Sequence, residues 1–183
     1  MINLLSREAL LKAFEALAAS DKDQGHVEMI VCRPNHGERI RLEKAELDPV
    51  QGLIGDNWQA RGSRHTEDGQ AHPDMQLTLM NSKIIDIVSG DISNWMWAGD
   101  QLYVDFDLSL ENLPIGQRLQ IGEAILEVSA PPHTGCKKFA ERYGTEALKI
   151  INSAEGKAKR WRGMNTRIIQ GGLIKTGDKI QKL

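Results

Sequence analysis

The sequence predicts a mainly β fold, a predominantly antiparallel sheet closed or partly closed into a barrel with helices around it. Three observations support this prediction. About seven to nine short segments either alternate apolar with polar residues or run apolar, as strands do. Turns that contain glycine separate many of these segments. Helical patterns are few and do not alternate regularly with the strands, which argues against a doubly wound α/β fold.

The composition indicates one globular domain, residues 1–183, with an N-terminal helix in residues 1–22 and a barrel core in residues 26–183. The chain has 183 residues, of which 40% are hydrophobic and 26% charged, as in ordinary globular domains. A net charge of −2 gives no reason to expect nucleic acid or an anionic membrane as partner. The sequence shows no signal-peptide pattern and no long apolar run, so we expect a cytoplasmic protein.

The first part of the chain is predicted to hold a helix and a hairpin. Apolar residues recur at helical spacing in residues 3–19, and Ser6 has the chemistry of a helix start. The period then changes, and residues 26–32 and 38–42 predict two strands joined by a turn. Residues 43–50 are expected to be a connection.

A long polar segment follows. Residues 59–74 have no apolar period, and loops of this length are usually functional or mobile. A strand at residues 75–80 leads to Asn81, which is the expected N-cap of a helix over residues 82–89. The histidines of the chain show no recognisable metal-ligand spacing. The basic residues and histidines of the long segment are Arg61, Arg64, His65 and His72.

The C-terminal half is predicted as strands on either side of a helical segment. Trp95 and Trp97 precede it and are expected to pack in the core or at an interface. Residues 118–121 and 124–128 predict a two-stranded meander with a tight glycine turn. A single helix is expected over residues 139–152. The remaining predicted strands are residues 102–108, residues 164–170 and two short strands between Gly171 and Ile180.

The segment Pro131–Phe139 places one of the two cysteines of the chain, Cys136, beside a histidine and before two lysines. Nearby cations and a helix N-terminus favour the thiolate, which is the nucleophile and the soft metal ligand. Gly135 lets the backbone turn sharply, and His133 is close enough in sequence to orient the thiol or take its proton. The alternative is a buried structural cysteine, and the residues alone leave both open. Cys32, at a strand end, is expected to be buried.

A second concentration of charge lies at residues 157–167. A run of basic residues is usually a solvated face, but Arg162 and Arg167 stand at the mouth of a predicted strand, and the planar guanidinium suits phosphate. The cluster therefore predicts an anionic cofactor or substrate. No GxGxxG, P-loop or GxSxG motif is present, so nucleotide binding and serine-hydrolase chemistry have no motif support.

Four stretches, in the same order, resemble the MOSC domain, the module also found at the C-terminus of molybdenum-cofactor sulfurases. They are residues 52–56 (GLIGD), residues 76–79 (QLTL), the meander of residues 113–136 that ends in the cysteine, and residues 163–178 with their Gly-Gly and Gly-Asp pairs. The resemblance spans most of the chain, and it implies a MOSC-type β-barrel with peripheral helices.

The resemblance also implies a function. The cysteine of the family falls on Cys136, which would carry sulfur as a persulfide or ligate molybdenum through its thiolate. The small-molecule cofactor would be the molybdenum cofactor (molybdopterin), and the family has an association with pyridoxal phosphate as well. A sulfur donor or an electron-transfer protein would be the partner. The cofactor-binding residues would be His133, Thr134, Gly135, Lys137, Lys138, Arg162, Asn165 and Arg167.

Two alternatives stay open beside this interpretation. One is a molybdenum-dependent reductase of N-hydroxylated compounds, an activity of some MOSC proteins that needs an external electron donor. The other is a binding module that keeps the barrel but has lost the cofactor. The second rests on three departures from the family pattern, at Asn57-Trp58, at Met75 and at residues 102–105.

Overall fold

The computed structural model describes residues 4–183. Its strands are β1 (Gln24–Cys32), β2 (Ile40–Leu42), β3 (Lys44–Asp48), β4 (Gly52–Leu53), β5 (Leu77–Asn81), β6 (Leu102–Asp105), β7 (Arg118–Ile121), β8 (Ala124–Val128), β9 (Met164–Gln170), β10 (Gly172–Lys175) and β11 (Lys179–Lys182). Its helices are α1 (Arg7–Glu15), α2 (Trp58–Arg61), α3 (Ser82–Ser89), α4 (Lys137–Tyr143), α5 (Thr145–Ile151) and α6 (Ala154–Ala158), with 3₁₀ segments at Pro73–Met75 and Ile92–Ala98.

Seven strands form a closed barrel. Their order around the ring is β11-β7-β8-β9-β5-β6-β1, and β1 closes the ring by pairing with β11. The strand β2 adds to β1, while β10, β3 and β4 form a small separate sheet. Closure leaves few free sheet edges, which would otherwise expose unpaired backbone groups. The predicted mainly β barrel with peripheral helices, including an N-terminal helix, is therefore confirmed.

The pairing of the barrel strands is predominantly antiparallel, as predicted, with one parallel pair. The strands β5 and β6 run side by side in the same direction, with Leu79 opposite Leu102 and Met80 opposite Tyr103. A parallel pair needs a crossover that returns the chain to the same end of the sheet. Here α3 and the second 3₁₀ segment supply it.

The parallel pair also explains why the protein has two apolar layers. Successive residues of a strand face opposite sides. Leu79 and Leu102 belong to the core inside the barrel, whereas Met80 and Tyr103 belong to a second core between the barrel wall and the helices. All four side chains are fully buried, at 0% exposure. Strands covered on both faces in this way read as continuous apolar runs.

Two predicted helix starts match the structure. The helix α1 begins after Ser6, whose Oγ accepts a hydrogen bond from the Ala9 N–H at 3.2 Å, but it ends at Glu15 and is shorter than the predicted residues 3–19. Asn81 caps α3 by accepting from the N–H groups of Lys83 and Ile84 at 2.9 and 3.3 Å. Residue 3 of the predicted first helix lies outside the described residues.

Two predictions were wrong. Residues 139–152 form two helices instead of one, because Gly144 adopts φ 89°, ψ 155° and ends α4 before α5 begins. A left-handed φ of this kind is open to glycine and interrupts the helical hydrogen bonds. Residues 43–50 contain the strand β3, which pairs with β10 and β4. The prediction missed this strand because its longer pairing is with β10, which is distant in sequence.

No helix within residues 4–183 has the length and hydrophobicity needed to cross a bilayer.

Gly163 provides a test of how tightly the barrel is packed. Its φ is 99°, and a Cβ there would lie 2.1 Å from the Leu79 carbonyl oxygen. We expect Gly163→Ala to lower the free energy of unfolding by about 3 kcal/mol, because backbone strain and a clash with the strand β5 add together. The control is Gly177→Ala, where φ is 89° but no atom lies within 4 Å. It should cost about 1 kcal/mol. Urea unfolding measures both, and equal losses would contradict the packing argument.

Candidate functional site

Cys136 lies at the start of α4, after the meander β7–β8. It is the N-cap residue of the helix, with φ −117° and ψ 178°, and its side chain makes no capping hydrogen bond. The backbone of Gly135 is held by Asn152, whose Oδ1 accepts from the Gly135 N–H at 2.9 Å and whose Nδ2 donates to the Gly135 carbonyl at 3.1 Å. Cys136 is therefore exposed while the loop that carries it is fixed against α5.

The thiol lines a polar pocket of about 260 Å³, which we call the thiol pocket. No carboxylate within residues 4–183 lines this pocket. A neighbouring open cleft of about 560 Å³ shares the same basic wall. The five basic residues that line both are Arg33, Arg39, Arg61, Lys138 and Arg142.

One of these arginines is neutralised behind the wall. Arg33 is buried and donates from Nε and Nη2 to the two oxygens of Asp56, each at 2.8 Å. Its Nη1 donates to the Gly99 carbonyl at 2.8 Å. Such a bidentate pair uses the planar geometry of guanidinium and carboxylate fully. Arg33 is therefore a structural part of the pocket wall.

The other three arginines have no carboxylate partner among the described residues. Arg39, Arg61 and Arg142 form no salt bridge within residues 4–183, and the buried Nε of Arg39 has no hydrogen-bond partner. Burial, followed by the charges of Arg33 and Arg142, lowers the pKa of Arg39. Positive charge concentrated without compensation favours an anionic ligand.

A buried ionic cluster connects the cysteine loop to the barrel. Asp100 is fully buried, and its two oxygens contact different partners: Oδ2 accepts from Arg162 Nη1 at 2.6 Å and Oδ1 contacts His133 Nε2 at 2.8 Å. Burial alone would raise the pKa of Asp100, but the Arg162 charge and the His133 contact outweigh it and hold that pKa well below its usual range. Asp100 is therefore ionised and can only accept hydrogen bonds.

The ionised Asp100 fixes the tautomer of His133. Since the carboxylate cannot donate, Nε2 carries the hydrogen and donates to it, and Nδ1 of the neutral ring is an acceptor. Burial, together with the Arg162 charge, lowers the pKa of His133 despite the opposing effect of Asp100. His133 also lines the thiol pocket. It is thus a neutral, oriented base on the wall that carries Cys136.

A family model for the MOSC domain matches residues 56–181. The chain belongs to the MOSC domain family. No protein of curated function matches this MOSC chain in sequence.

Solved structures share its fold. YuaD from Bacillus subtilis is 17% identical with a TM-score of 0.60, over 87% of this chain and 95% of its own. YiiM from Escherichia coli is 16% identical with a TM-score of 0.55, over 86% of this chain and 69% of its own. YiiM from Geobacillus stearothermophilus is 14% identical with a TM-score of 0.58, over 87% and 75%. At these identities the likeness shows the fold alone.

The structure brings some of the predicted site residues together. His133, Lys138 and Asn165 line the thiol pocket with Cys136. Arg162 does not line this pocket but pairs with Asp100, which also contacts His133. Gly135 has no side chain, which lets the loop pack closely against α5: a Cβ there would lie 2.5 Å from Leu148 Cδ1.

Three predicted site residues lie elsewhere. Arg167 is on the outer surface of the MOSC barrel, where Nη2 contacts Glu127 Oε1 at 2.6 Å. Lys137 is 90% exposed and pairs with Glu141 at 3.8 Å. Thr134 lines a different pocket. They stay predictions as ligand-binding residues, but none lines the thiol pocket.

Sequence reasoning missed most of the basic wall. Arg33 and Arg39 belong to the first hairpin and its turn, and Arg142 lies on the helix after the cysteine, so no local pattern joins them. Two residues of the wall carried a signal: Lys138, which follows the cysteine and was predicted for the site, and Arg61, which lies in the long polar segment expected to be functional or mobile. Two departures from the family pattern, Trp58 and Met75, also line the thiol pocket.

The two cysteines should differ in reactivity. Cys136 is exposed, whereas Cys32 is buried and burial raises the pKa of its thiol. We expect a thiol reagent at neutral pH to label Cys136 at least about tenfold faster, since only an accessible thiolate reacts. Peptide mass spectrometry over time measures both labelling rates. The variants Cys136→Ser and Cys32→Ser show which cysteine each labelled peptide contains. Equal slow labelling would show that Cys136 is not accessible.

The lowered pKa of His133 predicts a pH dependence of stability. In the unfolded chain histidine binds a proton near pH 6.5, whereas the folded protein resists it until lower pH, so stability falls as pH drops below about 6.5. Between about pH 7.5 and about pH 5.5, the wild type should lose about 1 kcal/mol more than His133→Gln, which keeps a donor to Asp100. Urea unfolding at both values is the measurement. His65→Gln, an exposed residue away from the site, should behave as wild type.

Proposed function

We propose that this MOSC protein binds the molybdenum cofactor in the thiol pocket, with the Cys136 thiolate as a ligand to molybdenum. The observation that supports the proposal is the position of an exposed thiol in the same pocket as three arginines that have no carboxylate partner. A thiolate is a soft ligand suited to such a metal, and the cofactor carries an anionic phosphate. The donor set therefore fits both ends of this group.

The basic wall would hold the anionic part of the cofactor. Arg39, Arg61 and Arg142 reach the pocket and the cleft beside it, and the unpartnered Nε of Arg39 offers a buried donor. A hydrogen bond between guanidinium and phosphate is charge-assisted and can be bidentate. When bound, the cofactor would supply two-electron redox chemistry at molybdenum.

The remaining pocket residues would orient ligands. The Nδ1 of His133 is a hydrogen-bond acceptor on the wall of the thiol pocket, because Asp100 keeps Nε2 protonated. Asn165 is 1% exposed and its Oδ1 has no partner, so a donor on a ligand would satisfy it. Lys138 lies 3.2 Å from His36 Nε2 at the rim.

A second candidate function is sulfur carriage, which the exposure of Cys136 favours. A thiol at the protein surface is accessible to the cysteine of a donor protein. The Cys136 thiolate would attack the outer sulfur of the donor's persulfide, forming an S–S bond on Cys136 while the donor's S–S bond breaks and its thiolate leaves. The exchange is redox-neutral. A sulfur donor, or an electron-transfer protein for the redox function, is the partner that these proposals require.

Metal analysis tests the cofactor proposal. Protein purified from cells that make the molybdenum cofactor should contain about one molybdenum per chain, and Cys136→Ser should lose most of it, because the thiolate ligand is gone. Arg39→Ala should lower the occupancy several-fold, since a buried donor to the phosphate is removed. The control is Lys137→Ala, which removes an exposed charge outside the pocket.

The outcomes separate the alternatives. Labile sulfur on Cys136 without molybdenum would replace the first function with the second. Wild-type protein that carries neither would overturn both and leave the MOSC barrel as a binding module.

A further inference from the structure

A second pocket lies on the other side of the loop of residues 131–134. Its volume is about 380 Å³, within the range of small-molecule sites. His133 and Asn165 line both this pocket and the thiol pocket, so they form a shared wall. Most of its lining is apolar, and we call it the apolar pocket. Its large apolar lining residues are Leu110, Ile115, Pro131, Pro132, Ile151 and Met164.

Two side chains that line the apolar pocket are also exposed to solvent. Leu110 is 48% exposed and Ile115 is 61% exposed. Single exposed apolar side chains are ordinary, but a pair lining one concave, apolar pocket indicates a surface for an apolar ligand.

The charge of the apolar pocket has one sign. Lys157, Arg160 and Arg162 line it, and no carboxylate within residues 4–183 does. Arg162 is neutralised by Asp100. Lys157 and Arg160 form no salt bridge among the described residues. Two cations beside an apolar surface favour a ligand that is both apolar and anionic.

Arg160 is held in place by its backbone and by carbonyl groups. Its φ of 48° is the one left-handed value of a non-glycine residue within residues 4–183. Such a conformation costs free energy and is typical of functional positions. Its Nη1 donates to the carbonyls of Leu113 and Leu108 at 2.7 and 3.3 Å. The guanidinium is therefore fixed without being neutralised.

A buried donor of the pocket also lacks a partner. Arg162 is 5% exposed, yet its Nε makes no hydrogen bond. A buried N–H of a guanidinium normally has an acceptor, and an anionic oxygen would supply one. The lining thus provides an apolar surface, two cations without carboxylates and an unused donor.

We propose that the apolar pocket binds a small apolar carboxylate, a compound with one anionic head and an aryl or alkyl body. The body packs against Leu110, Ile115 and Met164, and the carboxylate lies by Lys157 and Arg160. An amine of the same shape is excluded, because its ammonium would be placed beside two cations. The site is separate from Cys136 and from any chemistry of the thiol.

Isothermal titration calorimetry of the full chain with 3-phenylpropionate tests the proposal. Binding is expected for this acid and not for acetate, which lacks the body, or 3-phenylpropylamine, which reverses the charge. Lys157→Glu should weaken binding about tenfold or more, because it replaces an attractive charge by a repulsive one. The matched control is Lys159→Glu, an exposed lysine that does not line the pocket, and it should bind as wild type.

A second pair of variants tests the apolar part. Leu110→Asn should weaken binding several-fold, whereas Ile92→Asn, at an exposed apolar residue elsewhere, should have no effect. The proposal is overturned if the acid does not bind, if the amine binds equally well, or if Lys157→Glu and Lys159→Glu act alike. Protein from cells without molybdenum cofactor should bind the acid with the same affinity. The calorimetry therefore tests the apolar pocket independently of the metal analysis, which tests the thiol pocket.

Discussion

The contact that organises the site is the buried ionic cluster of Asp100. A fully buried carboxylate is costly unless it is paired and hydrogen-bonded, and Asp100 has both an arginine and a histidine as partners. Asp100 precedes β6, Arg162 precedes β9 and His133 belongs to the cysteine loop. The cluster thus ties two barrel strands to the segment that carries the thiol, and loss of Asp100 or of Arg162 would leave the charge of the other buried without compensation.

The arginines at and behind the thiol pocket divide into two groups by whether a carboxylate neutralises them. Arg33 and Arg162 are buried, each paired with a carboxylate, and they also donate to the neighbouring carbonyls of Gly99 and Ala98. These two build the wall behind the thiol pocket. Arg39, Arg61 and Arg142 line the pocket without a carboxylate partner among the described residues, so their charge is available to a ligand. Burial alone would not separate the structural group from the ligand-binding group; the carboxylate partners do.

Two pockets of different chemistry meet at one wall. The thiol pocket is polar and basic, whereas the apolar pocket combines an apolar surface with cations. His133 and Asn165 face both. Apart from these two residues, the linings of the pockets are separate.

The sequence by itself determined the barrel class, most strand positions, the cap of α3 and the loop that carries Cys136. These follow from period, glycine turns and capping chemistry, which act over a few residues. Local signals did not reveal the strand β3, the break at Gly144 or the parallel pairing of β5 with β6. Only the tertiary structure decided which charges meet. Arg33 and Arg39 come from the first hairpin, Asp100 precedes β6 and Arg142 lies on α4, so their grouping depends on the tertiary fold. Arg167, predicted for the site, lies outside it because its side chain leaves the strand on the outer face, beside Glu127.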